Sequence, residues 1–117
     1  MAGGVTIYHS PKCGTSRTAL GLIEAAGIAP EIVPFLETGW SRALLTRLMK
    51  QAGVTPRDWL RAKEPLAAEL GLTDGKASDA AILKAMLAHP VLVDRPVVET
   101  AKGVRMCRPA EIVAELL

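Results

Sequence analysis

"TIYHSPKCGTSR", residues 6–17, runs from a β-rich stretch into a polar turn and then into a helix-like pattern, with one of the chain's two cysteines at the junction. Val5 to Tyr8 alternates and is rich in β-formers, which predicts a strand. Pro11 to Gly14 reads as a turn. "SRTALGLIEAAG" follows, with Leu20, Ile23 and Ala26 at helical spacing and Gly27 placed to end the helix. Ile32 to Leu36 reads as a second strand, and its Pro34 suggests a sheet edge. Strand, helix and strand within so short a segment predict a βαβ unit with parallel strands.

The centre of the chain is helical by pattern. "SRALLTRLMKQAG" places Leu44, Leu45, Leu48, Met49 and Ala52 on one stripe, closed by Gly53. "TPRDWLR" has Thr55 as N-cap, Pro56 at the first helical position and Asp58 in the first turn. "SDAAILKAMLAHP" opens on Ser78 and stops at Pro90. β-structure then returns. "VLVDRPVVET" and "VRMC" flank Ala101-Lys102-Gly103, which reads as a hairpin turn. "RPAEIVAELL" begins a last helix at Pro109. The expected order is β-α-β, a helical block over about 40–90, then β-β-α. With 117 residues, no repeat and no linker composition, one domain over residues 1–117 is expected.

Half the residues are hydrophobic and 3% are aromatic, so the core has to be aliphatic. Two widely separated cysteines, with no basic-then-apolar leader at the start, fit a cytoplasmic protein rather than a disulfide scaffold. No apolar run approaches the ~20 residues that span a bilayer, so no membrane association is expected. A net charge of +2 is too small to argue for nucleic acid.

Cys13 is the candidate centre. The thiolate, not the thiol, is the nucleophile. A helix N-terminus offers about half a positive charge and several unpaired N–H groups. Gly14 lets the backbone approach closely, the Thr15 and Ser16 hydroxyls can donate to sulfur, and Lys12 and Arg17 add positive charge. A small buried hydrophobe is the other reading of a free cysteine, and the polar, charged surroundings argue against it. The spacing is Cys-x-x-Ser, so a resolving thiol has to come from outside or from Cys107. A strand cysteine such as Cys107 is expected to be packing. His9 and His89 have no neighbouring ligand pattern, so no metal site is expected. His89 reads as a helix end, Trp40 and Trp59 as packing, and Met49 and Met86 as core.

The β-α-β and β-β-α halves, with a cysteine opening the first helix, resemble the thioredoxin fold. "YHSPKCGTSR", "FLET", "LRAKEP", "ELGL", "HPVLVDRPVV" and "RMCRP", in that order along nearly the whole chain, resemble the arsenate reductases that use glutathione and glutaredoxin. The resemblance implies an α/β, thioredoxin-like fold with a helical insertion between its halves, and the reduction of arsenate to arsenite. It implies Cys13 as nucleophile and Arg61, Arg95 and Arg108 as the oxyanion-binding arginines. It implies His9 and Ser16 as residues that tune the thiolate, and Pro96 as a cis-proline facing the cysteine. Arsenate, glutathione and glutaredoxin are the implied partners, glutathione being a co-substrate, with no bound cofactor. Arginine suits an oxyanion because it is always charged and donates two parallel hydrogen bonds. Two other readings share the fold: a glutathione-dependent thiol reductase of another substrate, and a regulator that binds RNA polymerase and carries Cys-x-x-Cys as a redox switch. Ser16 removes that switch.

Overall fold

The computed structural model describes residues 4–117, which form two compact units, one from residues 4–38 and 95–117 and the other Gly39–Asp94. The first unit holds strand β1 (Thr6–Tyr8), helix α1 (Gly14–Ala25), strand β2 (Glu31–Val33), the short helix α2 (Phe35–Thr38), strands β3 (Val97–Thr100) and β4 (Gly103–Met106), and a 3-10 helix over Ala110–Leu116. The four strands make one sheet in the order β2-β1-β3-β4. β1 and β2 run parallel, with Ile7 opposite Ile32, as a βαβ unit requires. β3 is antiparallel to both β1 and β4. This is the thioredoxin-like α/β arrangement, and β2 is an edge strand, as Pro34 suggested.

Side-chain alternation decides what the sheet buries. Val5, Ile7 and Val98 form one core with Ala19 and Ile23 of α1, with Cys107, and with Ala110, Val113 and Leu116 of the final helix. α1 and that final helix pack on each other. Tyr8, one residue on from Ile7, instead donates through its hydroxyl to Glu99 Oε1 at 3.0 Å. α1 ends where expected: Gly27 takes φ 81° and its N–H reaches the Glu24 carbonyl at 2.9 Å.

Two strand boundaries differ from the sequence reading. Phe35 and Leu36 are helical, not β. Pro34 has no N–H for the sheet, while its carbonyl accepts from Glu37 N at 2.8 Å and Thr38 N at 3.1 Å, which starts a helix. Likewise β3 begins at Val97, so "VLVDRP" is not part of it. Pro90–Leu92 turns as a 3-10 helix, and Val93 bridges to Leu60 within the second unit. The last helix winds with 3-10 geometry, Ile112 N bonding to Pro109 O at 3.1 Å.

The second unit holds helices α3 (Arg42–Ala52), α4 (Pro65–Glu69) and α5 (Asp79–Ala88), with 3-10 turns at Pro56–Trp59 and Pro90–Leu92. Local chemistry sets the ends. Ser41 and Ser78 accept from Leu44 N and Ala81 N, each at 3.1 Å, and Asp58 Oδ2 accepts from Thr55 N at 2.8 Å. Gly53 closes α3 in the left-handed region. α4, with Pro65 at its first position, was not anticipated. Trp40, Trp59, Met49 and Met86 are all buried, as expected of packing residues.

Ile23 is fully buried between α1 and the sheet. Ile23→Ala is expected to lower unfolding free energy by about 2–5 kcal/mol, measured by urea denaturation. A loss below about 0.5 kcal/mol, the size of an ordinary surface change, would show that α1 does not anchor this unit.

Candidate active site

Cys13 is the N-cap of α1, in extended conformation, with its own N–H on the Ser10 carbonyl at 3.0 Å and its carbonyl accepting from Arg17 N at 3.0 Å. The first N–H groups of a helix have no partner inside it. The Cys13 side chain sits over them, half-buried. From the far end of the sequence, Arg108 places Nη1 3.6 Å from Cys13 Sγ and donates the same nitrogen to the Arg95 carbonyl at 3.0 Å.

These contacts set the thiol. Burial, the largest single influence, disfavours the thiolate. Against it act the backbone N–H of Ser16, the hydrogen bond from Arg108, the backbone N–H of Thr15 and the Arg108 charge, and together they hold the pKa below that of a free cysteine. The Ser16 hydroxyl does not take the role expected of it: it lies 2.6 Å from His9 Nδ1 and accepts from Ser10 N at 3.1 Å. Ser16 serves the sulfur through its main chain, and its side chain ties the turn before Cys13 to the first turn of α1.

The nearby cations also act differently from the sequence expectation. Arg17 folds back to donate to the Pro11 carbonyl at 2.8 Å, and neither it nor the exposed Lys12 is among the groups that lower the thiol. Arg17 acts on His9 instead. Burial first, then the Arg17 charge, hold His9 below the ordinary imidazole range and favour the neutral ring. A neutral ring protonated on Nε2 accepts the Ser16 hydroxyl proton at Nδ1. At Gly14 an added Cβ would meet Arg17 Nη2 at 3.7 Å, an ordinary van der Waals contact, so no close approach there requires a glycine.

Arg95 is 3% exposed, and its guanidinium carbon lies 5.4 Å from the centre of the Phe35 ring. The Arg95–Pro96 peptide is cis, as is Arg108–Pro109. The first unit therefore gathers Cys13, Gly14, Thr15, Ser16, Arg17, His9, Arg95, Pro96 and Arg108 around one end of its sheet. Arg61 belongs to the second unit, where it pairs with Asp94 Oδ1 at 2.8 Å and, more loosely, with Glu64 Oε2 at 3.7 Å. The aromatic contact of Phe35 was missed in the sequence. Its signal was its rarity, since Phe35 is the chain's one phenylalanine.

Cys107 is the opposite kind of thiol. It is fully buried in the core of the first unit, and burial pushes its pKa up to about 12. Arg105 lowers it and Glu115 raises it, but neither offsets burial. The packing role expected for it is what the structure shows.

Two labelling results are expected. In native protein near neutral pH, iodoacetamide should modify Cys13 alone, with Cys107 reacting after denaturation. The Cys13 rate should rise with pH and level off with a midpoint below that of a free thiol, because the thiolate is the reacting form. Arg108→Gln should move that midpoint upward. A midpoint unchanged by Arg108→Gln would remove Arg108 from the electrostatics of the thiol.

A sequence profile of the ArsC family matches residues 8–116. The chain is 50% identical over 113 residues to the arsenate reductase ArsI2 of Synechocystis sp., covering 97% of this chain and 81% of that protein. It is 43% identical over 113 residues to the arsenate reductase of Escherichia coli strain K12, covering 97% and 80%. The solved structure of an arsenate reductase from Vibrio cholerae superposes with a TM-score of 0.93 at 45% identity, covering all of both chains. With its fold, its cysteine at the start of α1 and a profile match over nearly its full length, the chain belongs to the ArsC family.

Proposed function

We propose that this chain reduces arsenate to arsenite through Cys13, with glutathione and glutaredoxin as the reductant. The observation that carries the reading is the Cys13 sulfur set between the first N–H groups of α1 and the Arg108 guanidinium. That arrangement stabilises an anionic nucleophile and leaves cationic surroundings for an anionic substrate. Relatives named arsenate reductases, at 43% and 50% identity, support the choice of substrate.

The Cys13 thiolate attacks arsenic(V), an S–As bond forms, and one oxygen leaves as water after protonation. Glutathione thiolate then attacks the Cys13 sulfur. The S–As electron pair passes to arsenic, which leaves as arsenite, and a Cys13–glutathione disulfide remains. Glutaredoxin thiol takes the glutathione and returns the Cys13 thiolate. Two external thiols supply the two electrons. An external resolving thiol fits Cys107, which is buried and protonated. Arg95 and Arg108 bind the oxyanion, and the N–H groups of residues 14 to 16 take up developing charge. His9 and Ser16 hold the turn that presents the thiol. The chemistry suits the reducing cytoplasm. Among the described residues no helix is long and apolar enough to cross a membrane.

The test is a coupled assay with glutathione, glutaredoxin, glutathione reductase and NADPH. Arsenate-dependent NADPH loss is expected, abolished by Cys13→Ser. Charge-neutral Arg95→Gln and Arg108→Gln should each lower kcat/KM for arsenate by at least about tenfold, the loss of one charge-assisted contact. NADPH loss that ignores arsenate would instead make the chain a thiol reductase of another substrate.

A further inference from the structure

We infer that the cleft between the first turns of α1 and the start of the final helix seats glutathione, with Arg17 facing one of its carboxylates and Glu111 its ammonium group. The inference rests on the reading of glutathione as the reductant.

The cleft lies wholly within the first unit. Gly14, Thr15, Arg17 and Thr18 line one side and Pro109 to Glu111 the other, around a volume of about 580 Å³. That is the size of a small-molecule site, and far more than one tetrahedral oxyanion fills. Both walls begin beside the thiol. Gly14 follows Cys13, and Pro109 follows Arg108, whose Nη1 lies 3.6 Å from the Cys13 sulfur. α1 and the final helix pack on each other, which fixes the spacing of the walls. Thr18 is five residues beyond Cys13, so it lies about 7.5 Å further along the helix axis. An extended tripeptide spans about 10 Å. A glutathione with its sulfur at Cys13 therefore reaches the far end of the cleft.

Charge selects the occupant. The lining carries one cation, Arg17, and one anion, Glu111. Arg17 donates Nη1 to the Pro11 carbonyl at 2.8 Å, and its Nη2 stands 3.7 Å from where a Gly14 Cβ would be, so the guanidinium is turned back toward the thiol end. Glu111 is exposed on the opposite wall, in the first turn of the final helix. Thr15 and Thr18 add hydroxyls that both donate and accept. Near neutral pH glutathione presents two carboxylates and one ammonium group, with peptide groups between them. A cleft with charges of both signs and two hydroxyls matches such a zwitterion. It does not match arsenate, which Glu111 repels. The two ligands of one sulfur are thus separated by charge: the oxyanion goes to Arg95 and Arg108, and glutathione to the cleft that holds an acid.

Seated there, glutathione loses its thiol proton to solvent and attacks the Cys13–arsenic adduct at sulfur. The S–S bond forms as the S–As bond breaks, and the electron pair leaves with arsenic. The glutathionyl group stays in the cleft as the mixed disulfide. Gly14, Arg17, Thr18, Pro109 and Glu111 are all exposed, so the cleft is open to the glutaredoxin thiol that removes it.

The experiment titrates the reduced, nitrogen-15-labelled chain with reduced glutathione and with N-acetylglutathione, which lacks the ammonium group, and reads amide shifts by NMR. The same titrations are run on Glu111→Lys, and the KM for glutathione is read in the coupled assay. Glutathione should shift amides of residues 14–18 and 110–111. Glu111→Lys should weaken its binding, and raise its KM, by about 2- to 30-fold, the effect of turning one exposed ion pair into a repulsion. N-acetylglutathione should bind the unaltered chain more weakly than glutathione does, and Glu111→Lys should not weaken it further. The arsenate concentration that half-protects Cys13 from iodoacetamide should not rise in Glu111→Lys. If millimolar glutathione shifts none of these amides, or if Glu111→Lys weakens both ligands equally, the inference falls, even where arsenate is reduced as proposed. If glutathione binds in the cleft with the expected dependence on Glu111 but arsenate is not turned over, the proposed reaction fails and the glutathione site stands.

Discussion

One guanidinium joins the parts of this site. Arg108 Nη1 lies 3.6 Å from the Cys13 sulfur and 3.0 Å from the Arg95 carbonyl, so one nitrogen links the start of α1 to the residues that precede β3. The sheet register explains why it can. β3 and β4 pair Val97 with Met106, and Cys107 N continues the ladder to the Pro96 carbonyl at 2.8 Å. One more step along the same register sets Arg95 opposite Arg108. β1 pairs Tyr8 with Val97, which brings His9 and Ser10, and the turn that follows them, to the same end of the sheet. Helix α1 is held on the sheet by Ala19 and Ile23, so its N-terminus is fixed where the two strands end. The electrostatics of the thiol therefore depend on strand register and on apolar burial well away from it.

The two cysteines show which influence decides. Burial is the largest influence on both, and for both it opposes the thiolate. At Cys107 one arginine and one glutamate act in opposite senses, and burial prevails. At Cys13 two main-chain N–H groups and one arginine act in the same sense, and together they reverse it. The thiol chemistry follows from aligned donors, not from exposure alone. His9 meets the same kind of burial with a cation nearby, and there both influences favour the neutral ring. One turn thus holds a sulfur biased toward its anion and an imidazole biased toward its neutral form.

Much of this was legible along the chain, wherever the signal was local. The strand before Cys13, the helix after it, the serine cap at 78, the Gly53 stop and the hairpin at 101–103 are each set by a few adjacent residues. The differences in the strands trace to prolines. "IVPFL" and "VLVDRP" look β-rich by composition, but Pro34 has no N–H for the ladder and its carbonyl starts the helix that takes Phe35, while Pro90, just before the second stretch, opens the 3-10 turn that takes Leu92. Charge differs for another reason. Lys12 and Arg17 flank the thiol in sequence, yet the cation that lowers it is Arg108, brought by a hairpin. Sequence proximity gives no side-chain direction: Arg17 turns to the Pro11 carbonyl, and the Ser16 hydroxyl turns to His9. The contact between Phe35 and Arg95 joins residues far apart in the chain and has no local signature.

Charge counting gives the pocket its logic. A thiolate at Cys13 and the cation at Arg108 are close to neutral as a pair, so together they do little to attract a second anion. An oxyanion brought against that sulfur needs further positive charge that is not already offset. Arg95 is 3% exposed, and attraction between ions grows as water is excluded, so the buried Arg95 charge acts more strongly on the groups around it than an exposed one would.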